Sequence, residues 1–326
     1  MSYIESAKNY TGNTLDTIFF RPMLSGPSAI DLGVKVLYNM PMPTTIQLWT
    51  GQKNILQSYT QNGWSGGNSS IKEQKTISMN RVKAELGFSA SDYFSLVFEN
   101  IAARSDVNME DLTGTELEAA ETELFRQSIA ESIRATMWLG EKDGDSPYNT
   151  FDGFFRAIYE HCDAGYILPH LYSREDVAES QFVIDCFEKV WENSSQQLKD
   201  LKGSGNLVYY VSSDVYHLYE LYLDAKGTEG AYADIINGRN TLSYHGIQIM
   251  DVSISSYTSF TTFSDSFCFL ADRRNLVMAV NTADFPGAEV RMWYNPDEME
   301  NRQRAVFMAG CDIIDPNLIS VAYGDF

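Results

Sequence analysis

A chain of 326 residues with 44% apolar and 13% aromatic side chains can bury a core in one large domain or two connected ones, which excludes long disorder. No apolar run approaches the ~18 residues of a membrane span, and no secretory leader is expected from the first residues. A formal charge of −20 argues against a protein that grips phosphates, so no specific nucleic-acid binding is expected.

Residues 1–45 read as an extended arm. Pro22, Pro27, Pro41 and Pro43 with Gly12, Gly26 and Gly33 break any long helix, and 32–38 is a plausible strand between them. Residues 46–90 read as an extended two-stranded loop. A strand-like start holds Ile46, Leu48 and Trp49, and a Gly-rich tip holds Trp64. The alternation that follows switches parity near Arg81, from Ile77 and Met79 to Val82, Ala84 and Leu86, which predicts a bend. An isolated ribbon of this kind is marginal in water and needs something outside itself to lie on.

The stretch 115–139 has no Gly or Pro and predicts a long helix with Leu117, Leu124, Ile133 and Met137 on one face. Its acidic start suits the helix N-terminus, and Gly140 ends it. A short helical patch covers 151–158. A second long helix is expected over 174–201, opened by a capping box of Ser173 and Asp176. A buried-type strand at 206–211 precedes a third helix capped by residues 212–214, and a further strand is expected at 244–250. Four strands follow, at 276–280, 288–294, 304–311 and 318–322, with turn signals between most of them. The pattern is α+β.

No catalytic constellation emerges. His161, His170, His217 and His245 form no metal-ligand spacing, and Gly203-Ser-Gly205 precedes a strand where a dinucleotide loop would follow one. Cys162, Cys186, Cys268 and Cys311 are scattered and read as small buried hydrophobes. No enzyme activity, cofactor or metal is expected. Charge is more informative. Residues 46–90 carry Lys53, Lys72, Lys75, Arg81 and Lys83 against Glu73 and Glu85, a net +3. Residues 106–131 carry Asp106, Glu110, Asp111, Glu116, Glu118, Glu121, Glu123 and Glu131 against Arg126, a net −7. Two solvated faces account for this as readily as docking of one subunit's loop on another's helix, where opposite patches would set register.

This order of elements resembles the major capsid proteins of tailed bacteriophages, with the Hong Kong 97-type fold. The resemblance is sharpest in the run Leu207-Val-Tyr-Tyr-Val211 with its capped helix, in 240–249, in 269–278, and in the closing strand 304–317 with its Gly310 to Asp315-Pro316 ending. It implies an N-terminal arm (1–45), an extended loop (46–90), a peripheral domain with a spine helix (91–150, helix 115–139), an axial domain (151–285) and C-terminal strands returning to the peripheral domain (286–326). It also implies a non-enzymatic subunit that self-assembles as pentamers and hexamers into the icosahedral head of a phage or prophage around its DNA. Such a subunit is made in the host cytoplasm and resides in the virion, with a separate scaffolding protein and a portal as further partners and no membrane. Trp49, Lys53, Trp64, Lys72, Lys75, Arg81, Lys83, Glu116, Glu118, Glu121 and Glu123 are the expected interface residues. The alternatives are an encapsulin-type compartment shell, which shares this fold, and another phage structural component of the tail or connector; a hydrolase of unknown type is a more distant one.

Overall fold

A computed structural model describes residues 8–10, 29–38, 40, 44–50, 71–89, 116–177, 181–226, 235–236, 239–240, 242–258, 263–281, 289–295, 297–298 and 300–325. The strands are β1 (Lys8–Tyr10), β2 (Lys35–Tyr38), β3 (Thr44–Thr50), β4 (Ile71–Ile77), β5 (Asn80–Ser89), β6 (His170–Tyr172), β7 (Leu207–Val211), β8 (Ile235–Ile236), β9 (Arg239–Asn240), β10 (Ser243–Tyr244), β11 (Ile247–Asp251), β12 (Phe267–Asp272), β13 (Leu276–Asn281), β14 (Glu289–Asn295), β15 (Glu300–Ile313) and β16 (Ile319–Gly324). The helices are α1 (Glu116–Leu139), α2 (Phe154–Asp163), α3 (Arg174–Val177), α4 (Phe182–Asn193), α5 (Gln196–Asp200), α6 (Ser213–Lys226) and α7 (Ser255–Thr258). The class is α+β.

Two mixed sheets carry the fold. The first runs β1-β14-β15-β13-β2, with β5 on the other edge of β15. The second runs β10-β11-β7-β12-β16-β6. Strands β7, β12 and β13 are buried at every residue, so they read in the sequence as apolar runs, β12 and β13 each closing on one polar residue, Asp272 and Asn281. After passing from β5 of the first sheet to β6 of the second through α1 and α2, the chain crosses between the sheets twice more. It leaves the second sheet at Asp272, whose carboxylate accepts from the Arg274 amide (2.9 Å), and enters β13 of the first. It returns at Asp315-Pro316, where the Asp315 carboxylate caps the Asn317 amide (2.9 Å), into β16 of the second. The two crossings are joined directly. The buried Asn275 amide donates to the Asp315 carbonyl and accepts from the Asp315 amide, both at 2.8 Å.

These crossings interleave the sequence ranges of the two sheets. Strand β13 falls in the sequence range assigned to the axial domain but belongs to the first sheet, and β16 falls among the returning C-terminal strands but pairs with β12 and β6 of the second. Periodicity gives a strand's burial, not its partner. Strand β2 follows a buried turn at Ala29, Leu32 and Val34, and pairs in parallel with β13. Residues 29–38, within the segment read as an extended arm, therefore enter the core.

Helix α1 spans nearly the expected range, but its inward face is Phe125, Ile129, Ile133 and Met137, a row spaced by four. Leu124, expected on the core face, is 51% exposed. One residue is 100° of helix rotation, and the row set by Phe125 wins. At the helix end Trp138 is fully buried, with ring centroids 5.2 Å from Phe154 and 5.8 Å from both Tyr210 and Phe269. That aromatic knot ties α1 to α2 and to the second sheet.

The expected helix over 174–201 opens as its sequence indicates. The Ser173 amide donates to Asp176 at 2.7 Å, and the Asp176 amide donates to the Ser173 hydroxyl at 3.3 Å. It is not continuous. Ser194 and Ser195 are extended (ψ 142° and 155°), and the Ser195 hydroxyl accepts from the Leu198 amide to start α5. Serines compete for backbone groups and favour caps over helix interiors. The expected strand over 244–250 is likewise a hairpin, because His245 and Gly246 take positive φ (49° and 80°) between β10 and β11.

Removing the Asn275 amide strips both partners from a buried backbone segment at the crossing. Asn275→Ala should lower stability by roughly 1–3 kcal/mol in chemical denaturation. An unchanged midpoint would show that the crossing does not need this clasp.

Candidate subunit interface

The β3–β4 ribbon, within the range read as an extended loop, has a defined root on the first sheet. Strands β3 and β4 pair antiparallel from Thr44↔Ile77 to Thr50↔Ile71, and no third strand joins them among the described residues. At the root Ile77 and Met79 are buried against Val277, Ala279 and Met308, with Leu37 and Ile46 beside them. The strand is interrupted at Ser78-Met79, the buried side switches from Ile77 and Met79 to Val82 as the sequence alternation indicated near Arg81, and the chain continues as β5 antiparallel to β15 from Asn80↔Ala309 to Ser89↔Glu300. Gly310 lies under Ser78-Met79. A Cβ there would collide with the Ser78 carbonyl oxygen and sit 3.1 Å from the Met79 Cα, so only glycine lets the crossing backbone settle.

One ion pair clasps this root. Lys75 Nζ on β4 lies 3.1 Å from Asp312 Oδ2 on β15. Burial raises the Asp312 pKa above the ordinary carboxylate value, and Lys75 only partly offsets that. His161 on α2 is held below the ordinary histidine value by burial first and Lys75 second. The sequence signal that could have found this site is the glycine two residues before an acid inside an apolar strand.

The other expected interface residues divide as follows. Trp49 and Lys72 are register partners in the β3–β4 ladder. Lys83 pairs with Glu85 at 2.7 Å on the exposed face of β5, a contact worth little in water, and Arg81 is on that face too. Glu123 pairs with Arg126 and accepts from Gln127 (3.0 Å), and the Arg126 hydrogen bond holds its carboxyl below the ordinary range. Glu116, Glu118 and Glu121 fall in the first two turns of α1. Lys53 and Trp64 lie outside the described residues. The inward side of β5 (Val82, Ala84, Leu86) and the α1 row (Phe125, Ile129, Ile133) line a groove of about 460 Å³. Among the described residues no group of three or more His, Cys, Asp or Glu side chains could hold a metal ion, and no helix is long and apolar enough to cross a membrane.

The clasp has a pH signature. A folded-state pKa raised above the unfolded one means that the charged Asp312 opposes folding. That penalty is present above the folded pKa and relieved as pH falls through it. Lys75→Met should cost about 1–2 kcal/mol at pH 7, since both partners are partly exposed, and the cost should shrink on acidification as the carboxyl takes up its proton. Thermal denaturation of both proteins from pH 7 downward reads this. A cost that grows on acidification would contradict it.

No protein-family model matches this sequence, and no curated protein sequence matches it. The structure does have likenesses. One is a chain of the satellite phage P4 procapsid including size determination (Sid) protein, at TM-score 0.59 and 9% identity, covering 93% of this chain and 97% of that one. Another is a chain of Gordonia phage Cozz, at TM-score 0.52 and 12% identity, covering 92% of this chain and 87% of that one. At these identities the likeness is one of fold. The chain has the Hong Kong 97-type fold of tailed-phage major capsid proteins.

Proposed function

We propose that this chain is the structural subunit of a tailed-phage or prophage head, assembling as pentamers and hexamers into an icosahedral shell around the DNA genome. The carrying observation is the β3–β4 ribbon, which pairs with no third strand among the described residues and is anchored at its root by one ion pair and a small apolar cluster. A two-stranded ribbon is marginal in water, so a surface on a neighbouring copy completes it. The net −7 of 106–131 against the net +3 of 46–90 favours the α1 region of that neighbour as the surface. The first sheet with α1 acts as the peripheral domain, and the second sheet with α4 to α6 as the axial domain around which copies gather. Closed rings follow from such head-to-tail contacts. The acidic wall keeps DNA from sticking to it. The role is architectural rather than catalytic. A separate scaffolding protein and a portal complete the particle, which is built in the bacterial cytoplasm and leaves in the virion.

The test is a charge reversal read by sedimentation velocity. Reversing Glu116, Glu118 and Glu121 to Lys should abolish pentamers, hexamers and shells while leaving the monomer folded. Reversing Lys72, Arg81 and Lys83 to Glu in the same chain should restore them. Assembly unaffected by the first reversal, or no assembly by the parent chain at any concentration with or without a co-expressed scaffold, would overturn the reading.

A further inference from the structure

Away from the ribbon and its root, a cavity of about 270 Å³ opens between α4, the turn at 201–204 and the β10–β11 hairpin. This is many times the roughly 30 Å³ that one water occupies. Its walls are aromatic (Trp191, Tyr209, Tyr244) and its rim acidic (Glu188, Glu192). Three observations fit one kind of ligand. First, an ammonium already lies on the wall: Lys202 Nζ is 5.2 Å from the Trp191 ring centroid, within cation–π range. Second, Tyr209 is 1% exposed and lines the cavity, and its hydroxyl has no hydrogen-bond partner among the described residues. Burial raises the Tyr209 phenol and, with Glu188 next, pushes Tyr244 up to about 12, so both stay protonated at neutral pH and can accept from an N–H donor. Third, Glu192 is satisfied by Lys189 at 2.7 Å, whereas Glu188 has no ion-pair partner among the described residues.

We propose that this aromatic cup is a binding site for a primary ammonium group, taken from a free polyamine or from a lysine side chain of another copy. The ammonium lies against Trp191, donates to the Tyr209 hydroxyl and is neutralised by Glu188. Lys202 is the built-in competitor that an incoming cation displaces. The site does not depend on the assembly reading.

The experiment is calorimetric titration of the full chain with cadaverine at moderate salt, alongside Nα-acetyl-lysine methylamide and tetramethylammonium. Saturable one-site binding is expected. Glu188→Gln and Trp191→Leu, both at the cavity mouth, should each weaken it about tenfold, and Lys202→Ala should tighten it by removing the competitor. Tetramethylammonium, with no N–H, should bind more weakly than cadaverine. Tight cadaverine binding with unchanged particle size assigns the free polyamine. Equal binding of the lysine analogue, with subunit association lost in Glu188→Gln, assigns the neighbour's lysine. No saturable binding even in Lys202→Ala, or binding indifferent to Trp191→Leu in a variant whose melting is unchanged, would overturn the site; the latter would reduce it to diffuse attraction toward a chain of charge −20.

Discussion

Strand β15 is paired along both of its edges, and the rest of the first sheet depends on that. Over Glu300–Val306 it lies between β14 and β5, and its C-terminal half carries β13. The same strand supplies Gly310, which admits the loop's backbone, and Asp312, which clasps its ion pair. One continuous strand therefore sets where the root of the β3–β4 ribbon is held. A side chain at 310 or a slip in the β5–β15 register would shift the root of the ribbon, because a one-residue slip turns every side chain to the other face.

The two sheets are not beads on a linker. Strand β13 follows β12 after a short turn yet belongs to the other sheet, and β16 returns the chain to the second sheet after β15. The Asn275–Asp315 clasp sits where these crossings meet, and one aromatic-rich core runs through both sheets around Trp138. Such interleaving makes a stiff body. A stiff body is what a marginal two-stranded extension requires if its docking geometry is to be set in advance, since ordering costs then fall on the ribbon alone.

Much of this was legible in the sequence. The Gly- and Pro-free stretch 115–139, the capping pair Ser173 and Asp176, the apolar run at β7 and the turn signals among the last strands all point to the elements found. What escaped has physical causes. Helix phase failed at Leu124, because four-residue rows through Phe125 and Ile129 outweigh a seven-residue reading from Leu117. The helix over 174–201 failed at Ser194-Ser195, where side chains capture backbone groups. The sheet membership of β13 and β16 could not be read, because non-local pairing leaves no local trace. Lys75, expected at a subunit interface, is in an ion pair within its own chain, and its partner Asp312 could not be read because it is distant along the sequence. The aromatic cup escaped entirely, since its walls come from α4, β7 and β10.

The claim that most needs testing is that the β3–β4 ribbon is completed by a neighbour. Hydrogen exchange of the backbone amides resolves it when measured on the isolated subunit and on the assembled particle. The account predicts that amides of β3 and β4 exchange fast in the subunit and become protected on assembly, while β5 and β15 are protected in both. A ribbon already protected in the isolated subunit, or still unprotected in the assembled shell, would contradict it.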